Sequence, residues 1–423
     1  MHDGSVDLKA EARAAIYALP IEAVDPAQAD LFAQDAFWPI FERLRAEDPV
    51  HFVDSPTHGP FWSIALWDDI MAVDSNHQVF SSADGITLPT LEAKAENDKR
   101  GSRPSFISMD PPRHDEQRKT VSPVVAPSNL QVLGPLIRER AGKILDNLPI
   151  GVEFDWVEHV SKDLTAMTLA TLFDFPQEER GLLPYWSDVM TNSPGHGPVE
   201  SWGQKREVLD NMLERFVGLW NERVNAPPSG DLISMLAHGE STRNMERMEY
   251  AGNLGLLIIG GNDTTRNTIS GSVYALNKNP REYDKLRADP SLIPSMVSET
   301  IRWQTPLAHM ARTATQDFEL RGKTIKAGDR VVMWYVSGNR DPSAIEDPEV
   351  YRIDRERPRH HMSFGFGIHR CVGNRLAELQ LTIIWEEIMK RFPTIELAAE
   401  PVRTHSIFVK GYETMPVVIP RRH

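Results

Sequence analysis

The sequence predicts a mainly α protein with small β-sheets, and three observations predict it. Apolar residues recur at three- and four-residue spacing through most of the stretch from Leu130 to Leu276. Asn374 to Arg391 (NRLAELQLTIIWEEIMKR) reads as an amphipathic helix. Runs rich in β-formers are confined to two short regions, Val50 to Leu66 and Phe318 to Trp334.

Taken in order, Val50–Val53 and Phe61–Leu66 flank the turn signal SPTHGP and predict a hairpin. Helices follow from Leu130, interrupted by the loops NSPGHGP (Asn192–Pro198) and APPSG (Ala226–Gly230). Met245 to Lys278 predicts one long helix, and the strand region around Phe318–Trp334 precedes the last helix. No repeat, low-complexity tract or linker divides the 423 residues.

Composition narrows the function. With 46 basic against 60 acidic residues the net charge is −14, which disfavours nucleic acid as a partner. The start, MHDGSVDLKAEARAAIYALP, lacks the basic and apolar segments of a secretory signal, and LGLLIIGG (Leu254–Gly261) is too short to span a bilayer. A cytoplasmic protein without a transmembrane segment is expected.

The single cysteine, Cys371, excludes an internal disulfide and thiolate-cluster metal sites. It lies in FGFGIHRCVG (Phe364–Gly373), just ahead of the last predicted helix, where a helix N-terminus favours a thiolate. Gly365, Gly367 and Gly373 let the backbone approach something flat and bulky. A buried structural cysteine is the ordinary alternative for a lone thiol.

Phe364, Gly367, Cys371 and Gly373, with His369 among them, match the FxxGxxxCxG haem signature, and the sequence resembles the cytochrome P450 family. Two further matches stand in the family's order. Glu299-Thr300-Ile301-Arg302 fits its ExxR element, about seventy residues before Cys371, with Glu299 and Arg302 on one helical face as a structural brace. Gly260-Gly261-Asn262-Asp263-Thr264-Thr265 weakens the long helix in one place, since glycine costs about 1 kcal/mol against alanine in a helix interior.

The resemblance implies a triangular helical body over residues 1–423 as a single domain, with residues 1–45 an extended N-terminal segment. It implies haem b between the long helix and the Cys371 loop. Cys371 is then the iron ligand, whose thiolate donates electron density and favours O–O cleavage. Asp263 and Thr264 become the proton-delivering acid–alcohol pair, with Gly260 and Gly261 making room. The propionates are expected against His114, Arg118, Arg312 and His361. RERPRHHMSF (Arg355–Phe364) is one residue longer than the common pattern, which leaves His360 open beside His361 and Arg355 as the brace's third member.

The wording of GGNDTTRN and HHMSFGFGIHRCVGNRLAELQL resembles the soluble bacterial alkane hydroxylases that attack terminal methyl groups. A substrate pocket is expected from Ile86, Leu88, Leu257, Gly260, Leu307, Met310, Ile407 and Phe408, mostly apolar and suited to a hydrocarbon held by burial. The expected partners are dioxygen, an apolar small-molecule substrate, and a ferredoxin with its NAD(P)H-dependent reductase. Arg370 and Arg375 are the candidate docking cations. The alternatives within the family are fatty acids and cyclic or terpene-like substrates. Outside it stand a haem gas sensor and a cysteine hydrolase or thiol-redox enzyme using Cys371 with His369 or another histidine as base.

Overall fold

In a computed structural model of the protein, residues 8–101 and 103–423 are described. The longest helix, Arg247–Lys278, organises the rest. It packs against Asp163–Phe173, Leu182–Thr191, Ile293–Gln304 and Asn374–Arg391. From Asn262 to Val273 every residue but Thr264 is buried, so this stretch has no solvent face. Its polar residues are matched by neighbours: Thr165 Oγ1 donates to Asn262 Oδ1 at 2.9 Å, Ser161 and Ser270 hydroxyls meet at 2.8 Å, and Trp385 Nε1 donates to Ser272 Oγ at 2.8 Å. Most buried hydroxyls and amides here find a partner, Asn267 Nδ2 being an exception.

The last helix runs over Asn374–Arg391 as its periodicity predicts. It buries Leu376, Leu381, Ile383, Ile384, Trp385 and Ile388 against Pro127–Asp146 and Ile293–Gln304. The loops at Asn192–Pro198 and Ala226–Gly230 separate helices as expected.

The largest sheet has five strands in the order Val50–Ser55, Gly59–Ile64, Arg330–Met333, Met310–Ala314 and Phe80–Ser81. The predicted hairpin is there, with Val53 opposite Phe61. Gly59–Ile64 lies parallel to Arg330–Met333, with Trp62 opposite Val331, while Met310–Ala314 is antiparallel to both of its neighbours. A three-stranded sheet (Glu153–Asp155, Pro416–Val418, Glu396–Leu397) and two two-stranded ribbons complete the β content. Mainly α with small β-sheets is therefore the observed class.

The start of the chain departs from expectation. Residues 1–7 lie outside the described residues, but the rest of the supposed extended segment forms helices at Leu8–Ala18, Ala29–Ala33 and Trp38–Glu47. Phe32, Phe37, Ile40, Phe41 and Leu44 pack with Val332, Trp334 and Ile407 in one apolar cluster, and the Phe32 and Phe37 rings stack at 4.0 Å. Helices this short are marginal alone and are held by packing. Among the described residues no helix is long and apolar enough to cross a membrane.

Candidate active site

A cavity of about 1880 Å³ lies between the long helix and the Cys371 loop. Gly260, Gly261, Thr264, Thr265 and Thr268 line it from the helix; Phe364, Gly365, Cys371, Gly373 and Ala377 line it from the loop and the helix that follows.

The loop's shape comes from a buried carboxylate that the sequence did not advertise. Asp74 Oδ2 accepts from Phe366 N at 2.8 Å and from Tyr335 Oη at 2.7 Å, and its Oδ1 accepts from Arg312 Nη2 at 2.8 Å. Gly367 has φ +63° and sits so close to the Asp74 carbonyl that a Cβ would come within 2.7 Å of its oxygen. Only glycine fits both the left-handed backbone and that approach. Cys371 N donates to the Phe364 carbonyl at 2.8 Å, closing the loop.

Cys371 is exposed to the cavity while lying deep within the fold. Burial pushes its thiol up; the N–H groups of Gly373 and Asn374 and the guanidiniums of Arg118 and Arg370 pull the other way. Burial thus outweighs the helix N-terminus in the protein alone, whereas a coordinated thiol is deprotonated outright. Gly373 has no neighbouring atom within 4 Å of a would-be Cβ, so a side chain there would project into open space beside the cavity floor.

Behind the loop, Arg302 clasps Glu299 through Nε to Oε2 at 2.7 Å and Nη2 to Oε1 at 2.8 Å. Arg302 Nη1 also donates to the Asn339 and Pro348 carbonyls, both at 2.8 Å. Arg355 Nε donates to Glu299 Oε2 at 2.9 Å and is the third member. Every charge in this buried cluster is matched by hydrogen bonds, the condition under which a buried ion pair is tolerated.

At the cavity's edge the cationic and imidazole groups converge, with one change from expectation. Arg118 and Arg312 line the cavity; Arg118 donates to the Arg370 carbonyl. His114 is buried just behind, its Nδ1 toward Asp115 at 2.7 Å and its Nε2 without a partner. His361 does not reach the cavity. Its ring is buried against Phe364, with centroids 5.4 Å apart, and His360 packs on Trp67 at 4.6 Å. The imidazole that lines the cavity beside the Cys371 loop is His369, whose ring meets His114 edge-on at 4.4 Å. The φ of +63° at Gly367 reverses the chain and turns His369 inward, which counting back from Phe364 could not reveal. His369 Nε2 is bonded to Ser82 Oγ at 2.9 Å rather than to Cys371, which removes the geometry of a thiol–imidazole nucleophile.

The acid–alcohol pair is split between two sides of the long helix. Thr264 lines the cavity, and its Oγ1 donates to the Gly260 carbonyl at 3.0 Å. Asp263 is fully buried away from it: Oδ1 accepts from Asn262 Nδ2 at 3.0 Å and pairs with Arg266 at 3.0 Å, and Arg266 also meets Asp188 at 2.8 Å. Burial pushes the Asp263 carboxyl up, against the pull of Arg266. A separate chamber of about 500 Å³, lined by Arg266, Asp188, Lys162 and Glu413, lies behind this pair. The two glycines divide the work. Gly260 is open toward the cavity, whereas a Cβ on Gly261 would stand 2.8 Å from Leu169.

All eight expected pocket residues line the cavity: Ile86 and Leu88 from one loop, Leu257 and Gly260 from the long helix, Leu307 from the segment before the strand Met310–Ala314 and Met310 from its start, and Ile407 and Phe408 from the C-terminal loop. A flat, anionic macrocycle needs an axial donor, a floor free of side chains and cationic or N–H partners at one edge. Cys371, Gly373 and the Arg118, Arg312, His114 and His369 group supply these, the last two with buried ring nitrogens lacking a protein partner. The residues present fit haem.

Comparison with known proteins gives the same family. The Cytochrome P450 family model matches residues 199–409. Linalool 8-monooxygenase from Pseudomonas putida is 34% identical over 408 residues, covering 94% of this chain and 99% of that protein. The structure of CYP153D17 from Sphingomonas sp. PAMC 26605 superposes with a TM-score of 0.88 at 44% identity, covering 94% of this chain and 99% of that one. Methyl-branched lipid omega-hydroxylase from Mycobacterium tuberculosis is 28% identical over 417 residues, covering 94% and 95%. The chain belongs to the cytochrome P450 family, whose members are monooxygenases that carry haem b and use dioxygen and electrons from a redox partner.

Proposed function

We propose that the protein hydroxylates the terminal carbon of an uncharged, apolar, medium-chain substrate, an alkane, with electrons from a ferredoxin served by its own NAD(P)H-dependent reductase. The observation that carries this reading is the wall of Ile86, Leu88, Leu257, Leu307, Met310, Ile407 and Phe408 around one end of the cavity. Such a surface holds a hydrocarbon through burial, worth roughly 25 cal/mol per Å². Of the cations on the cavity wall away from Arg118 and Arg312, Lys205 donates to the Met190 and Asn192 carbonyls at 3.1 and 2.8 Å, and Arg103 pairs with Asp210 at 3.8 Å.

Cys371 would hold the iron of haem b, and Arg118, Arg312, His369 and His114 would hold its propionates. Bound there, haem supplies the activation of dioxygen and the insertion of one oxygen atom into a C–H bond. A primary C–H bond is stronger than its secondary neighbours, so terminal attack requires that the apolar wall hold the methyl group at the reacting position and keep the methylenes away. Thr264 lines the cavity face of the long helix, and its hydroxyl, which donates to the Gly260 carbonyl at 3.0 Å, turns from that carbonyl to pass a proton into the cavity. Asp263, on the other side, takes protons from the chamber lined by Asp188 and Glu413 and passes them on when its pairing with Arg266 opens.

One relative bears a name that speaks of chain-end oxidation, an omega-hydroxylase, and this supports attack at an end; a second is named an 8-monooxygenase of linalool. The second favours an alternative, a terpene-like substrate. Turnover of octane, dodecanoic acid and linalool with a surrogate ferredoxin and reductase, read by gas chromatography, separates them. The expected result is 1-octanol as the main product. Internal octanols as the main product would reject attack at the chain end, and turnover of the acid or linalool alone would reject the alkane.

A further inference from the structure

The pocket's wall is assembled from two segments distant in sequence, and both are fastened to the stretch Pro306–Ala311 between them. On one side Ala311 N donates to the Ile86 carbonyl at 2.8 Å, and Arg330 Nη2 donates to the Gly85 and Thr87 carbonyls at 2.8 and 2.7 Å. On the other, Ala308 N donates to the Phe408 carbonyl at 2.8 Å and Lys410 N to the Pro306 carbonyl at 2.9 Å. Each of these bonds fixes one segment alone. The side chain of His309 fixes both at once: its Nε2 accepts from Leu88 N at 3.1 Å and its Nδ1 donates to the Ile407 carbonyl at 3.0 Å.

His309 is fully buried, and its ring is wedged between Trp334 and Phe408, with centroids 5.0 and 5.4 Å away. The two bonds demand the neutral tautomer with hydrogen on Nδ1. Burial enforces that form, pushing the imidazole down to about 3. A rigid, uncharged ring of fixed width therefore spans the gap between Leu88 and Ile407, two residues that line the cavity.

We propose that His309 is a positioning residue for regioselectivity: it sets the separation of Leu88 and Ile407 and thereby which substrate carbon is held at the reacting position. It touches neither haem nor the reacting atoms and acts through the two residues it joins. The inference rests on the reading that oxidation is directed to a chain end by the apolar wall of the pocket. Displacements on the scale of an ångström are enough to change which bond reacts.

The test uses the full-length, haem-loaded protein and three variants. His309→Gln keeps one donor and one acceptor, His309→Phe keeps the ring without either bond, and His309→Asn is too short to reach both segments. Amide hydrogen exchange at Leu88 and product distribution from octane are measured together. The Phe and Asn variants are expected to exchange Leu88 at least about ten times faster, as a local opening that loses its last tie does. Their ratio of 1-octanol to internal octanols should fall by about fivefold or more, within the range that misplacement produces, and the Gln variant should restore it. If the Phe variant does not fold, the Asn variant carries the comparison. An unchanged product ratio despite faster exchange overturns the inference, and so does Leu88 exchange as slow as in the unaltered protein. If the unaltered protein makes no 1-octanol, the chain-end alkane reading fails separately. The same variants are then compared on dodecanoic acid or linalool, whichever is oxidised, and an identical distribution of products overturns the role of His309.

Discussion

Thr264 and Asp263 are neighbours in sequence that serve different spaces, one on the cavity and one on the chamber behind the long helix. Removing either should therefore fail differently. Thr264→Ala takes away the hydroxyl at the cavity face, and we expect electrons to be diverted from alcohol to peroxide, measured as peroxide formed per NAD(P)H consumed. Asp263→Asn keeps the shape but cannot carry a proton, so turnover is expected to fall about 10²-fold, the ordinary contribution of a positioned acid. Haem content and substrate binding should be retained, and the solvent deuterium isotope effect should increase. His309 gives a prediction of another kind. Its folded value of about 3 lies below the unfolded value of 6.5, so between these the unfolded chain binds more protons. Its contribution to stability is complete above pH 6.5 and is lost as pH falls toward 3, by about 1.4 kcal/mol per pH unit. Urea unfolding between pH 6 and 4 should show a shallower pH dependence in His309→Gln by about one proton. A slope identical to that of the unaltered protein would contradict the buried neutral ring.

At the scale of the element, the long helix and the last helix were legible because their periodicities are local properties of the chain. The small-residue face of the long helix was legible for the same reason, as a pair of glycines where helix formers are expected, although the helix runs through them unbroken. What could not be read was which glycine faces which neighbour, since that depends on the packing of Asp163–Phe173 against the helix. The distinction yields a paired prediction. Gly260→Ala adds a methyl group where nothing lies within 4 Å, so the helix should gain about 1 kcal/mol while the cavity narrows. Gly261→Ala puts its methyl 2.8 Å from Leu169 Cδ1, and the overpacking, about 1–3 kcal/mol, should cancel or exceed that gain. Thermal unfolding of both variants and the substrate affinity of the first check this. A stabilised Gly261→Ala would show that Leu169 moves aside freely. The Cys371 loop obeys the same limit: its motif was plain in sequence, whereas Asp74, which shapes it from nearly 300 residues away, carries no local mark. His369 displaced His361 at the cavity because a left-handed glycine, not spacing, decides where the loop points its side chains.

For the whole molecule, the sequence carried the class and the strongest helices, and it missed what only tertiary packing creates. The helices between Leu8 and Glu47 are short and are stabilised by packing on Trp334 and its neighbours, far along the chain. The parallel pairing of Gly59–Ile64 with Arg330–Met333 is likewise invisible to local patterns. Net charge is a property at this scale too, and it sets up the last prediction. A chain of charge −14 repels an acidic ferredoxin on average, so productive encounter needs a local patch of the opposite sign. Arg370 and Arg375 are both exposed and flank Cys371 in sequence, on the loop and on the first turn of the following helix. Attraction between exposed charges acts over a Debye length, about 10 Å at 0.1 M salt, and vanishes as salt rises. Reversing both charges (Arg370→Glu with Arg375→Glu) should lower the second-order rate of reduction by a surrogate ferredoxin by about tenfold or more at low ionic strength, the size of an electrostatic steering effect. The rates of the variant and the unaltered protein should converge as salt increases, because steering is a long-range contribution. Reduction by a small uncharged chemical reductant should not change. An equal rate with ferredoxin at low salt would move the docking site elsewhere on the surface, whereas a defect that persists at high salt and with the chemical reductant would mean that the arginines support the Cys371 loop rather than the encounter.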